Sequence, residues 1–389
     1  MSSTVHSAID DVLREAVESG AVPNVVAIAA DRQGIIYQGA AGPRVPGESG
    51  TVGSDTRFRI MSMTKMVATV AALQLLEQSK LDIDAPVEEY CPEFTQVQVL
   101  ERVDGDRPVL RAPASQATVK QLITHTSGLG YWFWNSGVFA WEQATGTPNV
   151  LSGSAAVFTA PMVADPGTRF VYGINTDWLG KVVEAAGGKG LDQAIADGIT
   201  GPLGMHDTAF TISDAQLADA TPIHLKGKDG RWAASEIELN QHPDWWAGGH
   251  GLYSTPHDYL KFQRMLLGNG TSPDGVKILE SGTVDAAFSN QIGELDFPED
   301  IPSADPNSTF GFHAGPGYKW GYGLLLNSDD QPGRRRAGSG AWAGLANTHF
   351  WVDRSAGITG AIYSQFLPFV PQEAMQMYSE FETALYASL

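Results

Sequence analysis

The sequence predicts an α/β (α+β) chain, in which an antiparallel sheet assembled from both termini is flanked by helices and carries a mostly helical region inserted in its middle. Three observations support this. The first forty residues read as one amphipathic helix followed by two apolar strands. The last forty read as strands followed by a helix, so both ends supply material of the same kind. The stretch between them shows helical periodicity broken by many glycines and prolines.

Taken in order, Ser7 to Gly20 is the first helix. Ser7 can cap it with Asp10 three residues on, Ile9, Val12, Leu13, Ala16 and Val17 form its apolar face, and Gly20 ends it. Val25 to Ala30 and Ile35 to Ala40 are apolar runs separated by Asp31-Arg32-Gln33-Gly34, which predicts a hairpin. Val67 to Leu76, Val119 to Thr124 and Thr176 to Ala186 are the clearest helical runs of the middle. Thr348 to Val352 and Gly360 to Ser364 are strands, and Ala374, Tyr378, Phe381 and Leu385 mark one face of a final helix. The expected division is a discontinuous sheet domain of residues 1–85 and 200–389 and a helical domain of residues 86–199, with the active site between them.

Charge narrows the partners. The 25 Lys and Arg against 44 Asp and Glu give a formal charge of −19, which repels phosphate backbones and anionic lipid surfaces, so neither nucleic acid nor membrane is an expected partner. The only basic run, Arg334-Arg335-Arg336, is expected in a surface loop. The single cysteine, Cys91, excludes an internal disulfide framework and a cysteine metal cluster, and is expected to be a small buried hydrophobe. No apolar run of 18 residues occurs, and the N-terminus shows no basic segment followed by an apolar run and a cleavage site; the expectation is a cytoplasmic protein.

The chemistry centres on Ser62-Met63-Thr64-Lys65 at the start of an apolar helical run. Residues three apart share a helix face, so the Lys65 amine can reach the Ser62 hydroxyl. A serine at a helix N-terminus also has unpaired N–H groups and the positive dipole end beside it, which favour a developing oxyanion. Tyr172-Gly173-Ile174-Asn175 follows the turn Asp165-Pro166-Gly167-Thr168 and precedes a helical run; a tyrosine beside a lysine relays its proton more easily. Gly338-Ser339-Gly340-Ala341-Trp342-Ala343-Gly344-Leu345 leads into the strand at Thr348, where glycines permit close backbone approach or mark a bulge.

In this order, the three elements resemble the serine β-lactamase and penicillin-binding-protein superfamily, and more closely the family VIII carboxylesterases related to class C β-lactamases. The resemblance spans nearly the whole chain, including Leu122-Ile123-Thr124-His125-Thr126-Ser127-Gly128-Leu129, Pro202-Leu203-Gly204-Met205 and Gly248-Gly249-His250-Gly251-Leu252-Tyr253-Ser254. It implies a β-lactamase-like fold, Ser62 as nucleophile, Lys65 and Tyr172 as a general-base pair, and an oxyanion hole from the N–H groups of Ser62 and Leu345. The chain departs from the β-lactamases at Trp342-Ala343-Gly344, where those enzymes carry a Lys-Thr-Gly-type triad and the esterases a Trp-Gly-Gly-like one. Without that lysine a carboxylate-bearing lactam loses a partner, which favours an uncharged ester. Ala343 in place of glycine narrows the pocket slightly.

The expected substrate contacts are Trp342, Ala343, Gly344 and Asn175, with Tyr131, Trp132 and Trp134 from an aromatic run that reads either as an apolar pocket wall or as a satellite hydrophobic cluster. No Gly-x-Ser-x-Gly, His-Glu-x-x-His or Gly-x-x-x-x-Gly-Lys-Ser/Thr occurs, so no metal and no cofactor is expected. His125 is expected to brace a helix end. The sequence therefore predicts a serine carboxylesterase acting on a small-molecule ester. A β-lactamase or D-amino-acid peptidase/amidase, an acyltransferase and a catalytically silent scaffold stand as alternatives.

Overall fold

The computed structural model describes residues 3–388. Its centre is a seven-stranded sheet made from the two ends of the chain. The strands are β1 (Val25–Asp31), β2 (Ile35–Ala41), β3 (Tyr318–Trp320), β4 (Leu325–Asn327), β5 (Gly340–Gly344), β6 (Thr348–Asp353) and β7 (Ile358–Tyr363). They lie in the order β3-β4-β5-β6-β7-β1-β2, each pair antiparallel. The chain ends meet where β1 pairs with β7, Val26 opposite Tyr363 and Ile28 opposite Ala361.

The period of two along a strand sends alternate side chains to opposite faces. Val25, Ala27 and Ala29 of β1 pack with Trp351 and Ile362 against the helices α1 (Ser3–Glu18) and α5 (Gln372–Tyr386), whose Ile9, Leu13, Phe381 and Leu385 close that side. Val26, Ile28, Phe350, Val352 and Ala361 face the larger core, which also takes in α2 (Thr64–Glu77), α3 (Asn175–Gly187) and α4 (Pro256–Leu267). Because both faces are covered, β1 reads as a continuous apolar run rather than an alternating one. α2 is buried all round from Thr64 to Leu73, which marks a core helix rather than an amphipathic surface one. A lysine near its start is therefore carried into the interior.

Three elements differ from expectation. The first helix begins at Ser3 rather than at a Ser7 cap. The middle region is not only helical: Val99–Asp104 and Arg107–Arg111 form a hairpin, tied in where Leu100 N–H donates to Met162 O at 2.8 Å. The glycine-rich segment before Thr348 is itself the strand β5. Cys91 is buried as expected, and burial pushes its thiol up to about 12. Among the described residues no helix is long and apolar enough to cross a membrane.

The segment leading into α2 is clamped before it reaches Ser62. Phe58–Arg59 pairs with Tyr253–Ser254. Arg59 is buried; its N–H donates to Gln365 Oε1 at 2.7 Å, and its guanidinium pairs with Glu238 and donates to Thr221 O. The carbonyl of the next residue, Ile60, abuts β5, where a Cβ on Gly344 would come within 2.4 Å of that oxygen. Only glycine lets β5 approach the nucleophile segment this closely.

Candidate active site

Ser62 lies on a single 3-10 turn, Met61–Met63, that runs directly into α2. Met61 has a φ of +46°, a left-handed conformation that a non-glycine residue holds only where its surroundings impose it. One helical turn on, the Lys65 amine is completely buried and makes three hydrogen bonds: to Ser62 Oγ at 3.1 Å, Tyr131 Oη at 3.0 Å and Gly249 O at 2.8 Å. That set fills the three donors of an ammonium, while a neutral amine in the same place turns its lone pair toward a hydroxyl.

One buried carboxylate backs two of those three contacts. Asp177, in the first turn of α3, accepts from Tyr131 Oη at 3.2 Å through Oδ2 and from Gly249 N–H at 2.8 Å through Oδ1. The His250 ring is 3.7 Å away. Burial lowers the Lys65 pKa, and the charge of Asp177 opposes this. Burial likewise raises Asp177, with Lys65 the strongest opposing influence. His250 is pushed down to about 3 by burial and then by Lys65, so it is a neutral neighbour.

Tyr172 stands on the other flank. The Lys65 amine sits over its ring, 4.8 Å from the centroid, and its hydroxyl accepts a 2.9 Å hydrogen bond from Trp342 Nε1. Burial raises the phenol pKa, while hydrogen bonds with Ser62 and Trp342 oppose the rise. Tyr131 and Tyr172 pack edge to face at 5.4 Å because the Tyr172 turn presses against the 129–130 backbone. A Cβ on Gly173 would sit 2.3 Å from Leu129 O, so the glycine after Tyr172 is what permits that contact.

The recess at Ser62 is narrow, with a free volume of about 10 Å³, and is lined by Tyr131, Trp132, Phe133, Leu151, His250 and Leu345, among others. Neither the Ser62 nor the Leu345 N–H donates a hydrogen bond to another backbone group among the described residues. Two free N–H groups thus border one recess beside a hydroxyl that a lysine touches. This arrangement can activate an oxygen nucleophile and hold a developing oxyanion.

The structure brings Ser62, Lys65, Tyr172 and Leu345 together, and sorts the expected substrate contacts. Trp132 lines the recess and donates through Nε1 to Asp305 at 3.1 Å. Trp134 packs on the Tyr172 ring at 5.3 Å, and Trp342 and Ala343 border a neighbouring cavity. Tyr131 has a wall in the recess, but its hydroxyl belongs to the Lys65 network. Asn175 does not face the recess: it is fully buried, its amide nitrogen is held by the Leu129 and Val171 carbonyls and His125 Nδ1, and its oxygen accepts from Ser127. It braces the turn that carries Tyr172, with His125 as partner. Gly344 is likewise a close-approach residue against Ile60 rather than a substrate contact. Sequence reasoning assigned no role in the site to Asp177, the Gly249 carbonyl or His250, although the last two lie in the matching segment Gly248 to Ser254. Among the described residues no cluster of His, Cys, Asp or Glu could hold a metal.

Comparison with known proteins follows the same lines. The family model described as Beta-lactamase matches residues 9–384. Lovastatin esterase of Penicillium rubens is 32% identical over 372 residues, covering 90% of this chain and 91% of that protein. Monacolin J acid methylbutanoyltransferase of Aspergillus terreus is 30% identical over 404 residues, covering 97% and 95%. Among solved structures, a variant of simvastatin synthase (LovD) from Aspergillus terreus matches with a TM-score of 0.85 at 27% identity, covering 100% of this chain and 98% of that one.

Proposed function

From the premise that this chain belongs to the Beta-lactamase family and is a serine hydrolase-type enzyme, we propose that it cleaves small-molecule carboxylic esters through an acyl-enzyme on Ser62. The observation that carries this is the 3.1 Å contact of a fully buried Lys65 amine with the Ser62 hydroxyl. In the proposed reaction the Ser62 proton passes to neutral Lys65 as Oγ bonds to the ester carbonyl carbon, and the N–H groups of Ser62 and Leu345 hold the oxyanion. The carbon–alkoxide bond then breaks, and the proton reaches the leaving alcohol through the Tyr172 hydroxyl. Water adds by the reverse route. Lys65 is favoured as the base because burial lowers its pKa, whereas burial raises that of Tyr172. The cleft would lie between a sheet domain of residues 1–85 and 200–389 and a helical domain of residues 86–199, in a cytoplasmic enzyme of the family VIII type.

Acyl transfer to an alcohol is a second reading, supported by the 30% identical relative named as a methylbutanoyltransferase and by the apolar recess walls Trp132, Phe133 and Leu151, which hinder a free water. The test is hydrolysis of p-nitrophenyl butyrate with and without an added alcohol. Turnover that is abolished by Ser62→Ala supports the acyl-enzyme; turnover that survives the substitution refutes it. Butyrate ester as the main product separates the transferase from the esterase.

A further inference from the structure

Three side chains besides Ser62 bring a nitrogen or oxygen to the walls of the Ser62 recess: Tyr131, Trp132 and His250. Two are committed. The Tyr131 hydroxyl is held between Lys65 and Asp177, and Trp132 Nε1 donates to Asp305 at 3.1 Å. His250 is 6% exposed, and its Nδ1 is sealed in the protein without a hydrogen bond, 3.7 Å from Asp177 Oδ1. With Nδ1 on the Asp177 side, the ring presents its far edge, and with it Nε2, to the recess; among the described residues nothing engages Nε2.

The ring is placed by the turn that also anchors Lys65. Gly249 accepts from the Lys65 amine through its carbonyl and donates its N–H to Asp177, and the next N–H, that of His250, donates to Ala247 O at 3.1 Å. A Cβ on Gly249 would come within 2.6 Å of Asp177 Oδ2 and 2.8 Å of Tyr131 Oη, so glycine there lets the turn close on the network. Trp245 meets the imidazole edge to face, with ring centroids 6.1 Å apart. The place of Nε2 is therefore tied to that of the Lys65 amine.

Chemistry fixes what Nε2 can do. Burial, aided by the Lys65 charge, keeps the ring neutral. The Asp177 carboxylate beside Nδ1 favours the tautomer with its proton there, which leaves Nε2 with a lone pair and no hydrogen. The recess thus offers one acceptor among apolar walls, and its free volume of about 10 Å³ is room for about one water molecule. A water meets both requirements, the size and an O–H to donate.

We infer that His250 Nε2 positions the water that deacylates Ser62, and thereby selects water over an alcohol as the acyl acceptor. The inference rests on the acyl-enzyme reading of Ser62. As the water oxygen bonds to the acyl carbon, one of its protons passes to the Lys65 and Tyr172 pair and on to Ser62 Oγ, which leaves as the carbon–Oγ bond breaks. The second O–H donates to Nε2 throughout and stays with the carboxylic acid. An alcohol has a single O–H, which the same base takes, so a carbon stands where the second hydrogen of water would be and Nε2 loses its donor. A buried acceptor left without a partner disfavours transfer by about 10-fold. The apolar walls that hinder a free water thus leave one place where a water is held.

The test reads how one intermediate divides between two products. p-Nitrophenyl butyrate is turned over at a fixed concentration of methanol or of 1-butanol, and the butyrate ester and butyric acid are measured by gas chromatography. His250→Asn keeps a polar group beside Asp177 but ends short of the recess, so the ester-to-acid ratio should rise about 10-fold, equally for both alcohols. His250→Gln, whose amide oxygen reaches the place of Nε2, should keep the native ratio. Slower acylation or a general loss of activity does not move this ratio, and near-ultraviolet circular dichroism reports that each variant is folded. An unchanged or lowered ratio in His250→Asn, a rise confined to one alcohol, or the same rise in His250→Gln would overturn the inference. Turnover that survives Ser62→Ala would overturn the acyl-enzyme itself, whereas an unmoved ratio with turnover that depends on Ser62 removes the His250 assignment alone.

Discussion

Replacing Asp177 by asparagine removes the only carboxylate that, among the described residues, backs the Lys65 network, while keeping nearly the same shape. The asparagine carbonyl oxygen can still accept from Gly249 N–H, and its amide nitrogen can face Tyr131 in place of the second carboxylate oxygen. What is lost is the negative charge. Burial lowers the Lys65 pKa and Asp177 opposes that lowering, so without Asp177 the pKa falls further. An opposite charge at this range holds a cation up by about 1–3 pKa units, so the fall should be of that size. If neutral Lys65 is the base, activity rises with pH as Lys65 loses its proton, and the acidic limb of kcat/KM should move to lower pH by about 1–3 units in Asp177→Asn. The plateau should also drop, because a less basic amine takes the Ser62 proton less readily. His250, Tyr131, Tyr172 and His125 are the other titratable groups around the site, and burial keeps all four neutral across this range. The assay is the pH profile of kcat/KM on p-nitrophenyl butyrate for both proteins. An acidic limb that stays in place, or moves to higher pH, would refute Lys65 as the base whose ionisation the profile reports.

Three further outcomes are expected. Lys65→Ala and Tyr172→Phe should each cost several orders of magnitude in kcat, and the double variant should lose far less than the product of the two, because both act on one proton transfer; additive losses would separate their roles. Trp342→Phe keeps the ring against Tyr172 but deletes the 2.9 Å hydrogen bond, so kcat should fall by about 2- to 10-fold, the equivalent of about 0.5–1.5 kcal/mol, and an unchanged kcat would mean that Tyr172 needs no such anchor. A higher kcat/KM for p-nitrophenyl butyrate than for nitrocefin is expected, since the missing lysine at Trp342 removes a charge-assisted contact worth about 1.5–3 kcal/mol, or about 10- to 150-fold; the opposite order would restore a lactamase.

The sequence carried the parts of the site that are local. Ser62 and Lys65 are one helical turn apart, and that spacing alone puts amine and hydroxyl on one face. The sheet was legible for a similar reason: β1, β6 and β7 are six- or seven-residue runs with clear apolar content, whereas β3 and β4 have three residues each, too few for a period of two to register. The hairpin at Val99–Asp104 escaped because only its first two residues are buried. The support beneath Lys65 is non-local and could not be read in this way: Tyr131 is 66 residues from Lys65 and Gly249 is 184. Asp177 was hidden by its position, since an acid in the first turn of a helix ordinarily answers the helix dipole. The Asn175 side chain misled for the opposite reason: it lies close to Tyr172 in sequence, and the fold turns it inward to hold the backbone.

The most direct test of the account is the site at which a fluorophosphonate attaches, read by peptide mass mapping of the native protein and of Ser62→Ala. The account predicts one adduct, on Ser62, and none in the variant. The serines of the other matching segments already have their hydroxyls engaged: Ser127 donates to Asn175, Ser254 bonds Thr208 at 2.7 Å and Ser339 donates to Arg336 O at 2.7 Å. An adduct on any of these three, or labelling that persists in a folded Ser62→Ala protein, would contradict Ser62 as the nucleophile.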